Sequence, residues 1–319
     1  MKRLICALLA VCILLLGAAG CSGRESGEQE GITQINPQEG ALSKKDKLAV
    51  NLYFADPSFT KLVSESRELD IPVNENEEYA VLQALCEGPA SQGDVAGNRL
   101  INENTAIVSI ASSGDVLFIT LSRDFLDWSF FSGNTSEESL NQRKQLAVYS
   151  IVNTMIEVSG YSRVQLLVES EDGGTGQRIR LEDVGFPGSG VLEPLARNGE
   201  VVLDPKNTLR LLFEAVANQN YENVFTYISY EGETGDAKPD EEEFLAIARE
   251  RNPVMEQYVI GDVIIGAGRD TAVIMVDITY KLKGEEQTEK TNIPVRLIKE
   301  SGMWKMQYEE FVKLFFQGE

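Results

Sequence analysis

The sequence predicts an α+β protein of two domains: an N-terminal mixed sheet with helices on one face, and a C-terminal cone-like domain of helices followed by an antiparallel sheet. Three observations carry this. In the first half each pair of strand-like runs is followed by one helical stretch; in the second half the helical periods come first and the strand-like runs afterwards. Between them lies a Gly- and Pro-containing stretch of little periodicity, residues 187–203. A length of 319 residues with a hydrophobic fraction of 43% suits two cores of this kind.

The chain opens on a leader. Lys2 and Arg3 precede an apolar stretch, residues 4–16, which ends in Gly17, Ala18, Ala19, Gly20 and Cys21. This is the three-part layout of a secretory signal. Its apolar core of about thirteen residues falls short of the roughly 20 that a helix needs to cross a hydrocarbon layer, which disfavours a permanent span. A Cys directly after Ala-Ala-Gly resembles the lipobox of bacterial lipoproteins, although Leu is commoner than Ala at the position of Ala18. That resemblance implies that the thiol of Cys21 is diacylated (a palmitate-type anchor) and becomes the new N-terminus. An ordinary cleaved signal and a retained anchor are the alternatives. Residues 1–20 are thus read as the signal peptide and 21–45 as a lipidated tether. The tether is rich in Gly, Ser, Glu and Gln and holds too few large apolar residues to offset the entropy of ordering it. As a polar coil its about 25 residues reach roughly 25 to 30 Å.

Folded structure begins at "KLAVNLYFAD", residues 47–56, a β-rich run, and "KLVSESRELDIP", 61–72, alternates as a second strand. "NEEYAVLQALCEG", 76–88, has apolar residues at 80, 81, 84 and 85, acidic residues in its first turn, and a Gly-Pro stop; it is a helix. Two alternating runs flank Ser113-Gly114-Asp115 as a β-hairpin over 105–125. A helix follows from about residue 137 to 159, then a strand at 163–170, a loop, and a short strand at "RIRLEDV". After the linker, Asp204-Pro205 starts a helix with apolar residues at 209, 212, 213 and 216. Two more helical segments precede four strand-like runs near 254–266, 271–282, 289–299 and 303–310. The predicted divisions are 46–186, 187–203 and 204–319.

Assembled, these residues resemble the GerMN domain of sporulation and germination lipoproteins. The resemblance spans residues 47–185. It rests on "NLYFAD", "ALCEGP", "VLFITLSRDF" and "LAVYSIVNTMIEVSGYSRVQLLVES", with Gly88-Pro89, Leu121-Ser122, Phe125 and Val152-Asn153-Thr154 where the family pattern wants them. One copy is present, where the best-known member has two. The segment 204–319 resembles the cone fold of the nuclear transport factor and SnoaL-like superfamily, through "LRLLFEAVANQNYENVFTYIS" and "ESGMWKMQYEEF". The first resemblance implies a non-enzymatic lipoprotein on the extracytoplasmic face of the cell membrane, working through contacts with envelope or sporulation proteins. Self-association is a further expectation. A small-ligand or glycan binder using the C-terminal cup is the alternative, since a fold at this level does not set function.

Composition narrows the chemistry. The net charge of -21 repels phosphate backbones, so nucleic acid is not an expected partner. The absence of His removes the commonest general base and zinc ligand. Of four Cys, Cys6 and Cys12 lie in the leader and Cys21 would carry lipid, which leaves Cys86 on the apolar rhythm of a helix, with no disulfide partner. No catalytic residue, metal ligand or cofactor is predicted. The acidic run 240–244 reads as a helix start, the loop 169–177 as a hairpin loop, and "GAGRD", 266–270, as a turn. Phe125, Trp128, Phe130 and Phe131 crowd one loop. Packing beneath that loop is the plain reading, and an exposed contact patch is the alternative, because aromatic anchors are what interfaces use. These four are the candidate interface residues. Tyr227, Tyr230, Tyr258, Tyr280, Trp304 and Phe311 either line a cup or form its core.

Overall fold

The first two strands, β1 (Asp46–Ala55) and β2 (Leu62–Ile71), pair antiparallel as a two-stranded ribbon of their own. The computed structural model describes residues 46–72, 74–90, 97–131, 135–171, 176–230 and 238–316. Cys21, the leader and the tether lie outside the described residues. Strand β1 is buried on both faces: Val50, Leu52 and Phe54 enter one apolar cluster, Tyr53 and Ala55 another.

A second sheet holds β3 (Ile107–Ser113), β4 (Val116–Leu121), β5 (Arg163–Val168) and β6 (Gln177–Arg178) in sequential order. The β3/β4 hairpin is antiparallel, and β4/β5 run parallel with helix α2 (Glu137–Ser159) as the crossover between them. The mixed sheet is therefore present, without the ribbon as part of it. Helix α1 (Glu77–Glu87) starts at Asn76, whose side chain accepts the Tyr79 N–H at 2.8 Å, and ends at Gly88. Val81, Leu82 and Leu85 of α1 join Val148, Ile151, Val152 and Met155 of α2 in the core that covers this sheet.

The ribbon needs an explanation, because on its outer side β1 has only an isolated bridge, from Ala55 to Asn98, among the described residues. Helix α2 supplies the missing partners. Thr154 Oγ1 accepts the Tyr53 N–H at 3.2 Å, and Ser150 Oγ donates to the Tyr53 carbonyl at 2.5 Å. Ser150 and Thr154 are buried polar residues on an otherwise apolar helix face, and covering this strand edge is what they do.

Residues 187–203 are tied down. Leu192 is buried in the first core, Leu195 bridges to Val164, and Val202 bridges to Leu62. Asn153 clasps the Asn198 backbone from both sides, donating to its carbonyl at 2.8 Å and accepting its N–H at 2.9 Å. Nearby, a Cβ on Gly185 would stand 2.5 Å from the Asn141 carbonyl oxygen, and its φ is +73°, so only glycine lets this chain lie against α2.

The second core is built by α3 (Pro205–Ala217), α4 (Tyr221–Thr226), α5 (Glu241–Arg251) and an antiparallel meander of β7 (Val254–Ile265), β8 (Thr271–Lys281), β9 (Gln287–Glu300) and β10 (Met303–Met306). Asp204 caps α3 by accepting the Asn207 N–H at 2.7 Å, and the 240–244 run does start a helix, with Asp240 accepting the Glu243 N–H at 2.9 Å. The last predicted strand, 303–310, is corrected: it stops at Met306, and α6 (Tyr308–Phe315) follows. Phe311, Leu314 and Phe315 are buried at helical spacing. The two cores meet at a small cluster of Val63, Leu203 and Met303, where Lys299 Nζ donates to the Ser64 carbonyl at 2.7 Å.

Candidate functional site

Two short 3₁₀ turns between β4 and α2, Arg123–Leu126 and Ser129–Phe131, carry Phe125, Phe130 and Phe131, with Trp128 in the link between the turns. Burial sorts them. Phe125 is fully buried in the core of the mixed sheet and Phe131 is buried in the adjoining cluster, while Trp128 packs against both. Trp128 also donates its indole N–H to the Asp183 carbonyl at 2.9 Å. Phe130 remains, at 37% exposure. As a contact patch the quartet therefore narrows to Phe130, because the loop needs the other three rings to fill the space beneath it.

The rings are in register with one another. Trp128 and Phe131 are parallel, with centroids 6.2 Å apart; Phe125 meets Trp128 edge-on at 5.5 Å, and Phe130 tilts against Phe131 at 4.1 Å. Phe59 closes the cluster edge-on to Phe131 at 6.0 Å. It arrives from the turn after β1 with a φ of +56°, a strained conformation for an aromatic residue. The nearly buried Asp56 imposes it, accepting the Ser58, Thr60 and Lys61 N–H groups at 3.2, 2.7 and 2.7 Å.

Two cations from α2 complete the arrangement. Arg143 Cζ lies 4.3 Å from the Phe59 ring centroid and 5.5 Å from that of Phe131, and Lys144 Nζ lies 5.9 Å from that of Trp128. Buried Arg143 Nε has no hydrogen-bond partner. Sequence reasoning missed Phe59, Arg143 and Lys144. Arg143 and Lys144 stand on the helix one to two turns after the ring loop, which is the only local signal; Phe59 is distant in sequence and carried none.

A second polar group sits at the far end of α2. Tyr53 Oη donates to Glu157 Oε2 at 2.5 Å, Arg197 donates to Tyr53 Oη at 3.1 Å, and Asn51 donates to Glu157 Oε1 at 2.6 Å. Burial, then the bond to the Glu157 carboxylate, push the Tyr53 phenol up to about 12. It is held as a neutral donor, suited to holding structure and unsuited to acid–base work near neutrality. Burial likewise pushes the Cys86 thiol up to about 12, the opposite of what a reactive thiolate needs.

The interior between the C-terminal sheet and its helices is filled by rings, most of them from the helices. Phe213, Phe244, Phe311, Phe315 and Tyr280 are essentially inaccessible, and Trp304 is buried among them. Tyr227 and Tyr258 pack against this core half-buried, and Tyr230 is exposed. Lys238 Nζ donates to the Phe225 and Ile228 carbonyls at 2.6 and 2.9 Å and lies on the Phe225 and Tyr230 rings. Burial lowers its pKa to about 7. Among the described residues no group of three or more Cys, Asp and Glu could hold a metal ion, and no helix is long and apolar enough to cross a membrane.

Comparison with known proteins bears on the first half of the chain. A family model described as "Germane: Sporulation and spore germination" matches residues 51–173. No curated protein matches. Among solved structures, a candidate lipoprotein from Clostridium perfringens is 21% identical over 47% of this chain and 87% of its own, with a TM-score of 0.28. The first GerMN domain of the sporulation protein GerM from Bacillus subtilis is 20% identical, over 40% of this chain and 92% of its own, with a TM-score of 0.27. The tandem GerMN domains of the same protein are 11% identical over 76% of this chain and 63% of theirs, with a TM-score of 0.32. Residues 51–173 are thus similar to the Germane family, which is described by sporulation and spore germination.

Proposed function

We propose that this chain is a membrane-anchored, extracytoplasmic contact protein used when spores form or germinate, and that it works without catalysis. The observation that carries the reading is the Germane match over residues 51–173. The leader supports the location: the apolar run ending in Ala-Ala-Gly before Cys21 has the order of a lipobox, and two acyl chains on Cys21 suffice for stable retention. Anchoring confines the protein to a surface, and the tether 21–45 lets the folded residues meet envelope partners at a raised local concentration. The division into a GerMN-like unit at 46–186, a connecting segment at 187–203 and a cone-like unit at 204–319 belongs to the same proposal.

The test is genetic and biochemical. In the native host, deleting the chain lowers the yield of spores that form and germinate, and Cys21→Ala leaves the protein unprocessed or releases it from membranes. Normal sporulation and germination without the chain would overturn the developmental reading. Normal retention of a processed Cys21→Ala protein would overturn the anchoring.

A further inference from the structure

Among the described arginines, eleven bond or ion-pair with an oxygen: Arg163 to Asp115 and Arg210 to Glu214, for example, or Arg99 to the Cys86 carbonyl. Arg269, in the turn before β8, and Arg143 do not. Arg269 stands at a hairpin tip. Arg143 is different: it is partly buried, laid on two aromatic faces, and unpaired in a chain with 50 carboxylates.

Stacking explains why that matters. Ring faces satisfy the flat sides of a guanidinium and leave its in-plane N–H donors as a fork matched to a carboxylate. The rings also shield the site from water, so an ion pair made there gains more than one made by freely solvated side chains. Nε itself is buried without a partner, and the terminal N–H groups make no hydrogen bond or ion pair among the described residues, so they are the donors left for a partner. Lys144 on Trp128 adds a second positive charge, and exposed Phe130, tilted on Phe131, adds an apolar contact beside them. Arg and aromatic residues in one partly desolvated cluster are the composition of an interface anchor.

We propose that Arg143, Lys144 and Phe130, held by Phe59, Trp128 and Phe131, form a docking surface for an acidic segment of a partner protein. One carboxylate is received by the Arg143 guanidinium, and an adjoining apolar side chain lies on Phe130. Charge complementarity selects this occupant: the unpaired cations of the patch attract carboxylates, while the acidic remainder of the chain disfavours a loosely held polyanion elsewhere. The inference rests on the contact reading above and names the chemistry of the partner.

The experiment uses the full chain as its host makes it, in an uncharged detergent at low ionic strength, titrated with a Glu-Leu repeat hexapeptide. Tryptophan fluorescence reports it, because Trp128 is in the cluster while Trp304 is buried in the second core and gives a constant background. A saturable change is expected with this peptide, none with the Gln-Leu repeat, and the affinity falls as salt is added. Arg143→Met keeps much of the packing, loses the fork, and weakens binding by about tenfold or more. If Arg143→Met does not fold, Phe130→Ser and Lys144→Gln carry the test, each weakening binding in a normally folded chain. A response that is absent, unchanged in these variants, or equal for the Gln-Leu repeat overturns the proposal. Competition by inorganic phosphate as strong as by the acidic peptide also overturns it, since that is a small-anion site. None of these readouts depends on spores or on membrane retention, so this inference and the functional reading fail separately.

Discussion

The two halves of this molecule are held by different means. In the first, the decisive contacts are hydrogen bonds from buried polar side chains: Ser150 and Thr154 to the Tyr53 backbone, Asn153 to Asn198, Gln165 to the Leu192 carbonyl, Trp128 to the Asp183 carbonyl. In the second, a large apolar cluster does the work, with rings in chains of contact such as Phe244–Phe311–Phe315–Tyr280. The difference follows from topology. The first half joins a two-stranded ribbon, a mixed sheet and an irregular segment, each with backbone groups that a helix must satisfy. The second is a continuous meander that satisfies its own backbone and needs only volume. The edges show the same contrast. β1 is covered by α2, whereas the outer strand β7 leaves Val259 and Ile264 at 62% and 66% exposure and is protected by Glu256, Asp262 and two bulges.

The sharpest way to break that contrast is to remove volume from the second half. Phe311→Ala deletes a fully buried ring that touches Phe244, Phe315 and Phe316, and should cost ~3 to 5 kcal/mol in denaturant unfolding. A loss below about 1 kcal/mol would mean that the ring cluster is loosely packed and that the halves do not differ as described. In the first half, Asn153→Ala removes less volume but strands the Asn198 N–H and carbonyl, for a cost of about 2 to 4 kcal/mol. Asn153→Leu separates the two contributions. It restores apolar volume and should rescue little if hydrogen bonds are what hold this half.

A pH measurement sharpens the comparison further. The folded pKa of Tyr53 is raised to about 12 by burial and by the Glu157 carboxylate, from an ordinary 10.0. A raised pKa means that the neutral form is favoured by folding. Its contribution is therefore complete below about pH 10 and is lost as pH rises through about 12. Tyr53→Phe should lose about 2 kcal/mol at neutral pH, and the gap between it and the parent should close over that alkaline window. A gap that stays constant with pH would place the effect in packing rather than in the phenol.

How much of this was readable in the sequence follows the same division. Periodicity and capping residues placed every α-helix of the described residues but the last, because Asn76, Asp204 and Asp240 act within three residues of themselves. The terminal helix was missed where the stretch after Met306 is too short to show its period. The ring loop was visible as composition, and the direction each ring faces was not. That is decided by Phe59, which Asp56 delivers from 66 residues before Phe125, and by Arg143 one helix later. The partnership of Asn153 with Asn198 was equally invisible, being a contact between a helix and a segment whose Gly and Pro content read as a linker. Local rules reach what neighbours in sequence determine, and the candidate site is made by residues that are not neighbours.

Helix caps supply the smallest and most diagnostic test, because there the halves should behave alike. Ser136 accepts the Ser139 N–H at 3.2 Å at the start of α2, and Asp240 accepts the Glu243 N–H at 2.9 Å at the start of α5. Each satisfies one donor that the helix geometry leaves open, so Ser136→Ala and Asp240→Ala should each cost ~1 kcal/mol. Asp240 adds a negative charge at the positive helix end, but Glu241, Glu242 and Glu243 already crowd that turn, and their mutual repulsion offsets the gain. Equal costs would show that the contrast lies in how the cores are filled and not in how helices begin. A Ser136→Ala loss well above about 2 kcal/mol would mean that the start of α2 also fixes the ring loop before it, because Phe131 ends only five residues upstream. In that event the Arg143 and Phe130 surface should lose its peptide response in Ser136→Ala as well, which the same fluorescence titration reads.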